Sequence, residues 1–191
     1  YAKKINSFNP EELTPFFEEA DTVVSELKQA GADFIISCIH WGLEYYTEPV
    51  EYQIEIAQHL CDSGVNALIG GHPHCLESVD VLESADGKNK MFCAYSVGNA
   101  LSNQLEEYMY MDMPGGYTED GVILTLQLTK DETGKVSMTG VDAMGTWVYG
   151  KIVEGQTWPQ EFRILPLDDV DSLEKLTGIK GISKDAEKAS E

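Results

Sequence analysis

Apolar side chains recur along residues 9–31 at Leu13, Phe16, Phe17, Ala20, Val23, Val24, Leu27 and Ala30. This i, i+3, i+4, i+7 rhythm predicts an amphipathic helix. Either Asn9-Pro10 or Thr14-Pro15 supplies its first turn, and Gly31 suits the left-handed position after its end. The rhythm then gives way to a short continuous apolar run, DFIISCI at 33–39, expected as a buried parallel strand. A second helix is predicted from about Pro49 to Asp62, with Val50, Ile54, Ala57 and Cys61 on one face and Gly64 at its end. VNALIG at 65–70 is a second buried strand and runs directly into GHPH.

Beyond this point the pattern becomes that of β-structure. LESVDVL and KMFCAYSV flank the turn-rich ESADGKNK, and GVILTLQLTK and KVSMTGV flank DETG; both arrangements predict hairpins. EFRILPL is a further short strand. Residues 168–191 are mostly polar and carry a weak helical rhythm at Val170, Leu173 and Leu176, expected as one helix that frays into a tail. The chain therefore reads as α/β, a βαβ unit followed by antiparallel hairpins, with a domain over 1–167 and an appended polar segment over 168–191.

Composition narrows the function. The chain has 191 residues and a net charge of −20, from 13 basic and 33 acidic side chains. A surface so poor in Lys and Arg argues against nucleic acid, whose phosphates need cations, and against docking on anionic lipid. No apolar run reaches the ~18 residues of a membrane span. The four cysteines, Cys38, Cys61, Cys75 and Cys93, lie in or beside apolar runs without metal-binding spacing, and read as buried free thiols.

The candidate chemistry lies in the histidines. His40 follows the first predicted parallel strand, and His72 and His74 follow the second. Ligands bind at the carboxyl ends of strands in open α/β sheets. If the two strands are neighbours, ~4.8 Å apart, the imidazoles of His40 and His72 converge on one ion. Pro73 is expected to hold His72 extended, so that His72 and His74 face the same cavity, with Gly70 and Gly71 relieving the turn. Imidazole donors suit Zn, Mn or Fe better than Ca. The competing reading is three ordinary surface histidines. His59, alone in mid-helix, reads as a surface or packing residue.

HWGLEY (40–45), GGHPH (70–74) and YSVGNAL (95–101) occur in the order and spacing that resemble the CapA family of poly-γ-glutamate capsule biosynthesis proteins, a branch similar to calcineurin-like metallophosphoesterases. GVILTLQL and FRILPL are similar to that family's C-terminal strands, so the resemblance covers roughly 20–167. It implies a partial metallophosphoesterase-like sandwich holding two divalent ions, with His40 and His72 on one and His74 on the other. It also places Glu44 as general acid or base or as the partner of a ligand, Trp41 as a site wall and Asn99 near the cavity. A role in synthesis, export or anchoring of the anionic polymer poly-γ-glutamate is implied, with capsule-assembly proteins as partners, at the cell envelope, anchored by an upstream segment.

The sequence departs from the superfamily pattern in one respect. Residues 1–39 contain no histidine, no Gly-Asp and no Asn-His, where an Asp-x-His, a bridging Asp and an Asn-His pair are expected. The histidines therefore form the second half of a site, and the chain alone is expected to be inactive or to hold no metal. A missing upstream half would leave sheet edge and apolar surface open to self-association. Two further readings stay open: a non-catalytic polymer- or partner-binding protein with a degenerate site, and a metal-dependent amide hydrolase acting on the polymer. Ser96 has no triad around it. Tyr108 and Tyr110, in EEYMYMDMPGGY, belong to an insertion that either lines a polymer groove or is a mobile loop.

Overall fold

The computed structural model describes residues 7–105 and 117–189, with side chains to Glu187. Tyr108 and Tyr110 lie outside the described residues. Helix α1 spans Thr14–Gln29 with proline in its first turn, so of the two predicted starts the Thr14-Pro15 pair is the one used. Strand β1 (Ile36–His40), helix α2 (Glu51–Ser63) and strand β2 (Ala67–Gly71) form the expected βαβ unit. Gly64 closes α2 in the left-handed conformation at φ 97°, a backbone state that costs glycine little. At the other end of α2 the Gln53 side chain reaches back to accept from the Val50 N–H at 2.8 Å, satisfying one donor left free by the helix.

Strands β3 (Val79–Glu83) and β4 (Lys90–Ala94) form the first hairpin. They complete a mixed sheet in the order β1-β2-β4-β3, with β1, β2 and β4 parallel. The second sheet is antiparallel, β5 (Asp120–Lys130), β6 (Val136–Ile152) and β7 (Pro159–Pro166). Three layers result. Helices α1 and α2 cover one face of the mixed sheet through Val24, Ile56, Leu60, Leu68, Met91 and Tyr95. The antiparallel sheet covers the other, where Leu124, Leu126 and Met138 pack on Ala67, Phe92 and Ala94.

Two expectations need correction. The run at 33–39 is not a buried strand: β1 is the edge of its sheet, Ile36 is 49% exposed and Cys38 is exposed. It reads as buried because its composition is that of an inner parallel strand, yet among the described residues it has a neighbour on one side only. Helix α1 leaves Val23 and Leu27 partly bare beside that edge. The C-terminal segment is not one fraying helix either. A 3₁₀ turn (Val170–Ser172) leads into α3 (Leu173–Thr177), and α4 (Ile182–Ala189) follows. Gly178 and Gly181, both at positive φ, break the rhythm. Leu173, Ile182 and Ala186 are fully buried against Trp147 and Leu165. Leu176, which the rhythm placed on the apolar face, is exposed. No helix among the described residues is long and apolar enough to cross a membrane.

Candidate functional site

The parallel strands β1, β2 and β4 end at the same edge of the mixed sheet, and each delivers one segment there. After β1 come His40, Trp41 and the loop through Tyr46; after β2, His72 to Leu76; after β4, Tyr95 to Asn99. Register pairs His40 with Gly71, which brings the His40 and His72 rings to 4.5 Å between centroids, tilted by 56°. His74 lies 6.1 Å from His72 on the same measure. Burial lowers the pKa of His72, the nearby His40 lowers it further, and Glu44 partly opposes both.

The backbone here is not extended as the sequence implied. His72 has φ 113° and His74 φ 64°, and Tyr45 in the facing loop has φ 67°. Non-glycine residues in this region cost about 1–3 kcal/mol each and persist only where their surroundings hold them. Pro73 restrains the backbone but does not keep its neighbours extended, because the two loops are tied together. Trp41 N–H donates to Gly71 O at 3.0 Å and Tyr45 N–H to Pro73 O at 2.7 Å. The Cys75 thiol donates to Tyr46 O, and Ser96 Oγ to Cys75 O at 2.7 Å. Ser96 is thereby a buried structural hydroxyl.

The glycine pair also works differently from expectation. A Cβ on Gly70 would lie 1.9 Å from Tyr95 O and 2.5 Å from the Trp41 indole nitrogen, whereas one on Gly71 meets nothing. Gly70 is needed for close approach rather than for turning. Trp41 is 2% exposed, donates from its indole to Tyr95 O at 2.8 Å and stacks on the Tyr95 ring. It is a core residue whose edge faces a cleft of about 620 Å³ that His40, His72, Phe8, Ile39 and Tyr52 also line. Glu44 is half exposed, with its carboxylate 3.8 Å from His74 Nε2. Asn99 lies on the other side of His74, 3.0 Å from Nδ1. His59 is remote, stacked on Phe17 and paired with Asp21 across α1 and α2.

Sequence pattern missed two parts of the site. Tyr45 stacks on His74 and its hydroxyl accepts from Gln104 at 3.1 Å. Below the loops, Glu77 is 7% exposed, accepts from Gln53 Nε2 at 2.8 Å and keeps one carboxylate oxygen without a partner. Nothing in the sequence around Glu77, which mixes Leu76 and Val79 with Ser78 and Asp80, marks it as buried.

Neutral imidazoles from two adjacent strand ends suit a borderline divalent cation, and His40 and His72 fit as two of its ligands. Among the described residues, however, no group of three or more His, Cys, Asp and Glu converges tightly enough to complete a coordination sphere.

The family model described as "Bacterial capsule synthesis protein PGA_cap" matches residues 3–104, more than half the chain and all three site segments. The PGA biosynthesis protein CapA of Bacillus subtilis (strain 168) is 30% identical over 120 residues, 63% of this chain and 27% of that protein. The capsule biosynthesis protein CapA of Bacillus anthracis is 32% identical over 98 residues, 51% of this chain and 21% of that protein. The chain thus spans about a quarter of the length of the curated relatives it matches.

Proposed function

The chain belongs to the bacterial capsule synthesis protein family, and from that premise we propose that it takes part in the synthesis, export or anchoring of poly-γ-glutamate at the cell envelope. In this reading the histidine cluster is one half of a metal-dependent, phosphoesterase-like centre. The carrying observation is the convergence of His40 and His72 at the carboxyl ends of two adjacent parallel strands, with His74 one turn of chain away. His40 and His72 would hold one divalent ion and His74 a second, with Glu44 placed to exchange a proton or to orient His74. Bound ions would supply Lewis acidity toward a phosphoryl or carbonyl oxygen.

Charge supports the same reading. Among the described residues, the segments that carry the histidines and Asn99, 29–87 and 91–105, contain neither Lys nor Arg, so an anionic substrate meets no side-chain cation from them, and metal ions are an alternative source of positive charge. The open edge of β1 beside His40 leaves room for ligands from further chain, consistent with relatives of which the shared span makes up 27% and 21%. Such added chain would also cover the bare apolar faces of α1 and β1.

Elemental analysis and a phosphodiester assay with Mn²⁺ test this, on the chain and on a version extended to the relatives' length. The expected result is two metal ions and turnover in the extended protein, both lost in His72→Ala, and no turnover by the chain alone. An extended protein that is metal-free and inert toward every phosphoester tried would overturn the enzymatic reading in favour of a polymer-binding scaffold. Release of glutamate oligomers from the polymer would redirect it to amide hydrolysis.

A further inference from the structure

Asn99 sits at the junction of the two sheets. Gly98 bridges to Gly121, Asn99 N–H donates to Asp120 O, and a Cβ on either glycine would strike the opposing backbone at 2.4 Å. The Asn99 backbone is therefore held from both sides. Its side-chain orientation is fixed independently. Nδ2 faces three oxygens: His74 O at 3.2 Å, Thr118 O at 2.9 Å and Gln104 Oε1 at 3.2 Å. Two of these are main-chain carbonyls, which only accept, so the NH₂ group has to point at them. Reversing the amide would set its oxygen against both carbonyls. Gln104 is fixed in turn, because its Nε2 donates to Tyr45 Oη while its Oε1 accepts from Asn99.

With Nδ2 so assigned, the atom 3.0 Å from His74 Nδ1 is the Asn99 carbonyl oxygen. An amide oxygen cannot donate, so the imidazole nitrogen must. We propose that Asn99 is a positioning residue that fixes the tautomer of His74, placing the proton on Nδ1 and leaving the Nε2 lone pair directed toward Glu44. Tyr45 stacked on the ring and the left-handed backbone at His74 hold the imidazole against rotation out of this arrangement. An unprotonated Nε2 facing a carboxylate oxygen at 3.8 Å leaves two electron-pair donors looking at one point. That arrangement calls for a cation or a bridging donor between them, and Asn99 sets it up from outside the contact. The tautomer follows from the hydrogen bonds alone; only the use of Nε2 as a metal ligand rests on the functional reading above.

The test is a long-range proton–nitrogen correlation spectrum of the isotope-labelled full chain, at a pH where the imidazoles are neutral, with His74 assigned through His74→Gln. His74 is expected with a protonated Nδ1 and an unprotonated Nε2. Asn99→Ala is expected to lose that fixed pattern, moving the Nε2 resonance toward its protonated position. Asn99→Asp keeps an acceptor facing Nδ1 and is expected to retain the pattern. A wild-type His74 carrying its proton on Nε2 overturns the proposal, as does an Asn99→Ala spectrum unchanged from wild type. Should Asn99→Ala not fold, the wild-type and Asn99→Asp spectra decide alone. Titration with Zn²⁺ of a version extended to the relatives' length separates the two readings: imidazoles that ignore Zn²⁺ there count against the metal centre and leave the tautomer standing. If Zn²⁺ binds, Asn99→Ala is expected to weaken it about 10–100-fold, the range for residues that orient a ligand histidine.

Discussion

Glu77 shows how one residue beneath the site shapes the behaviour of the whole chain. Burial pushes its carboxyl up to about 7 from an ordinary 4.5; the Gln53 hydrogen bond opposes the rise and Glu48 adds to it. The groups around it, Tyr52 on α2, Cys75 in the loop, and Cys93 and Tyr95 at the end of β4, are all raised as well, with Glu77 among the causes. None supplies a positive charge. Between its ordinary and its raised value, Glu77 is protonated in the folded chain and ionised in the unfolded one. The folded state then binds the extra proton, so stability falls as pH rises. The contribution is complete below the ordinary value and gone once pH passes about 7. Urea midpoints measured from about pH 5 to about pH 8 are expected to decline, and Glu77→Gln is expected to remove that decline. An unchanged slope in the variant would assign it to other groups. The glycine pair makes a second contrast at this scale. Gly70→Ala forces a methyl into Tyr95 O and the Trp41 indole and is expected to cost about 1–3 kcal/mol or more. Gly71→Ala meets open space and is expected to stay within about 0.5 kcal/mol. Thermal denaturation of the two variants side by side checks both.

At the scale of elements, what the sequence disclosed depended on whether a signal was local. The two long helices, both strands of the βαβ unit and both hairpins follow from period and turn chemistry, and Gly64 marked the end of α2 correctly because a left-handed cap is a local requirement. Of the face predicted for α2, Ala57 and Cys61 are buried, while Ile54 is 51% exposed and Gln53, Ile56 and Leu60 are buried in its place. The exposed edge of β1 was invisible, since an apolar run reports what a strand prefers and not whether a neighbour is present. The left-handed conformations of His72 and His74 were invisible for a similar reason: they are imposed by hydrogen bonds from a loop some 30 residues away, against the local preference set by Pro73. His40, His72 and His74 could be named because they follow predicted parallel strands, and Glu44 and Asn99 because their motifs resembled a family, but the distances between them came only from the fold, with His40 set beside Gly71 by the register of β1 on β2. The C-terminal elements illustrate the opposite failure, where weak periodicity concealed real packing. Leu173 and Ile182 are fully buried on Trp147 and Leu165, so α3 and α4 form a small core of their own with the antiparallel sheet. Leu173→Ala and Ile182→Ala are each expected to destabilise the chain by about 2–5 kcal/mol, read as a shift in denaturation midpoint. Leu176→Ala, at 72% exposure, is expected to change little, and a comparable loss there would mean that the two helices do not dock this way.

Across the whole molecule, charge is distributed as unevenly as structure. The described cations nearest the mixed sheet gather at the end opposite the histidines and are occupied there: Lys28 donates to Ser63 O, Lys88 pairs with Asp86 at 2.9 Å, Lys90 with Glu83 at 3.4 Å and Lys130 with Asp33 at 2.7 Å. Among the described residues, the three segments that carry the histidines and Asn99 come from 29–87 and 91–105, which contain no Lys or Arg. Total charge of −20 then sets the sign of any long-range force on a polyanion, and that force is repulsive. A cationic protein binds poly-γ-glutamate best at low salt and loses it as salt screens the attraction. This chain is expected to behave in the reverse sense. Without divalent ions, binding measured by co-sedimentation or calorimetry should be undetectable at low ionic strength, where the screening length is longest. In a version extended to the relatives' length, Mn²⁺ or Zn²⁺ should produce binding, and a chelator should abolish it. His72→Ala should weaken the metal-dependent part, while Lys88→Ala, at the far end of the sheet, should leave it unchanged. Tight binding in the presence of chelator, strongest at low salt, would show that the polymer is held by side-chain cations after all, and would move the interaction away from the histidine end of the sheet.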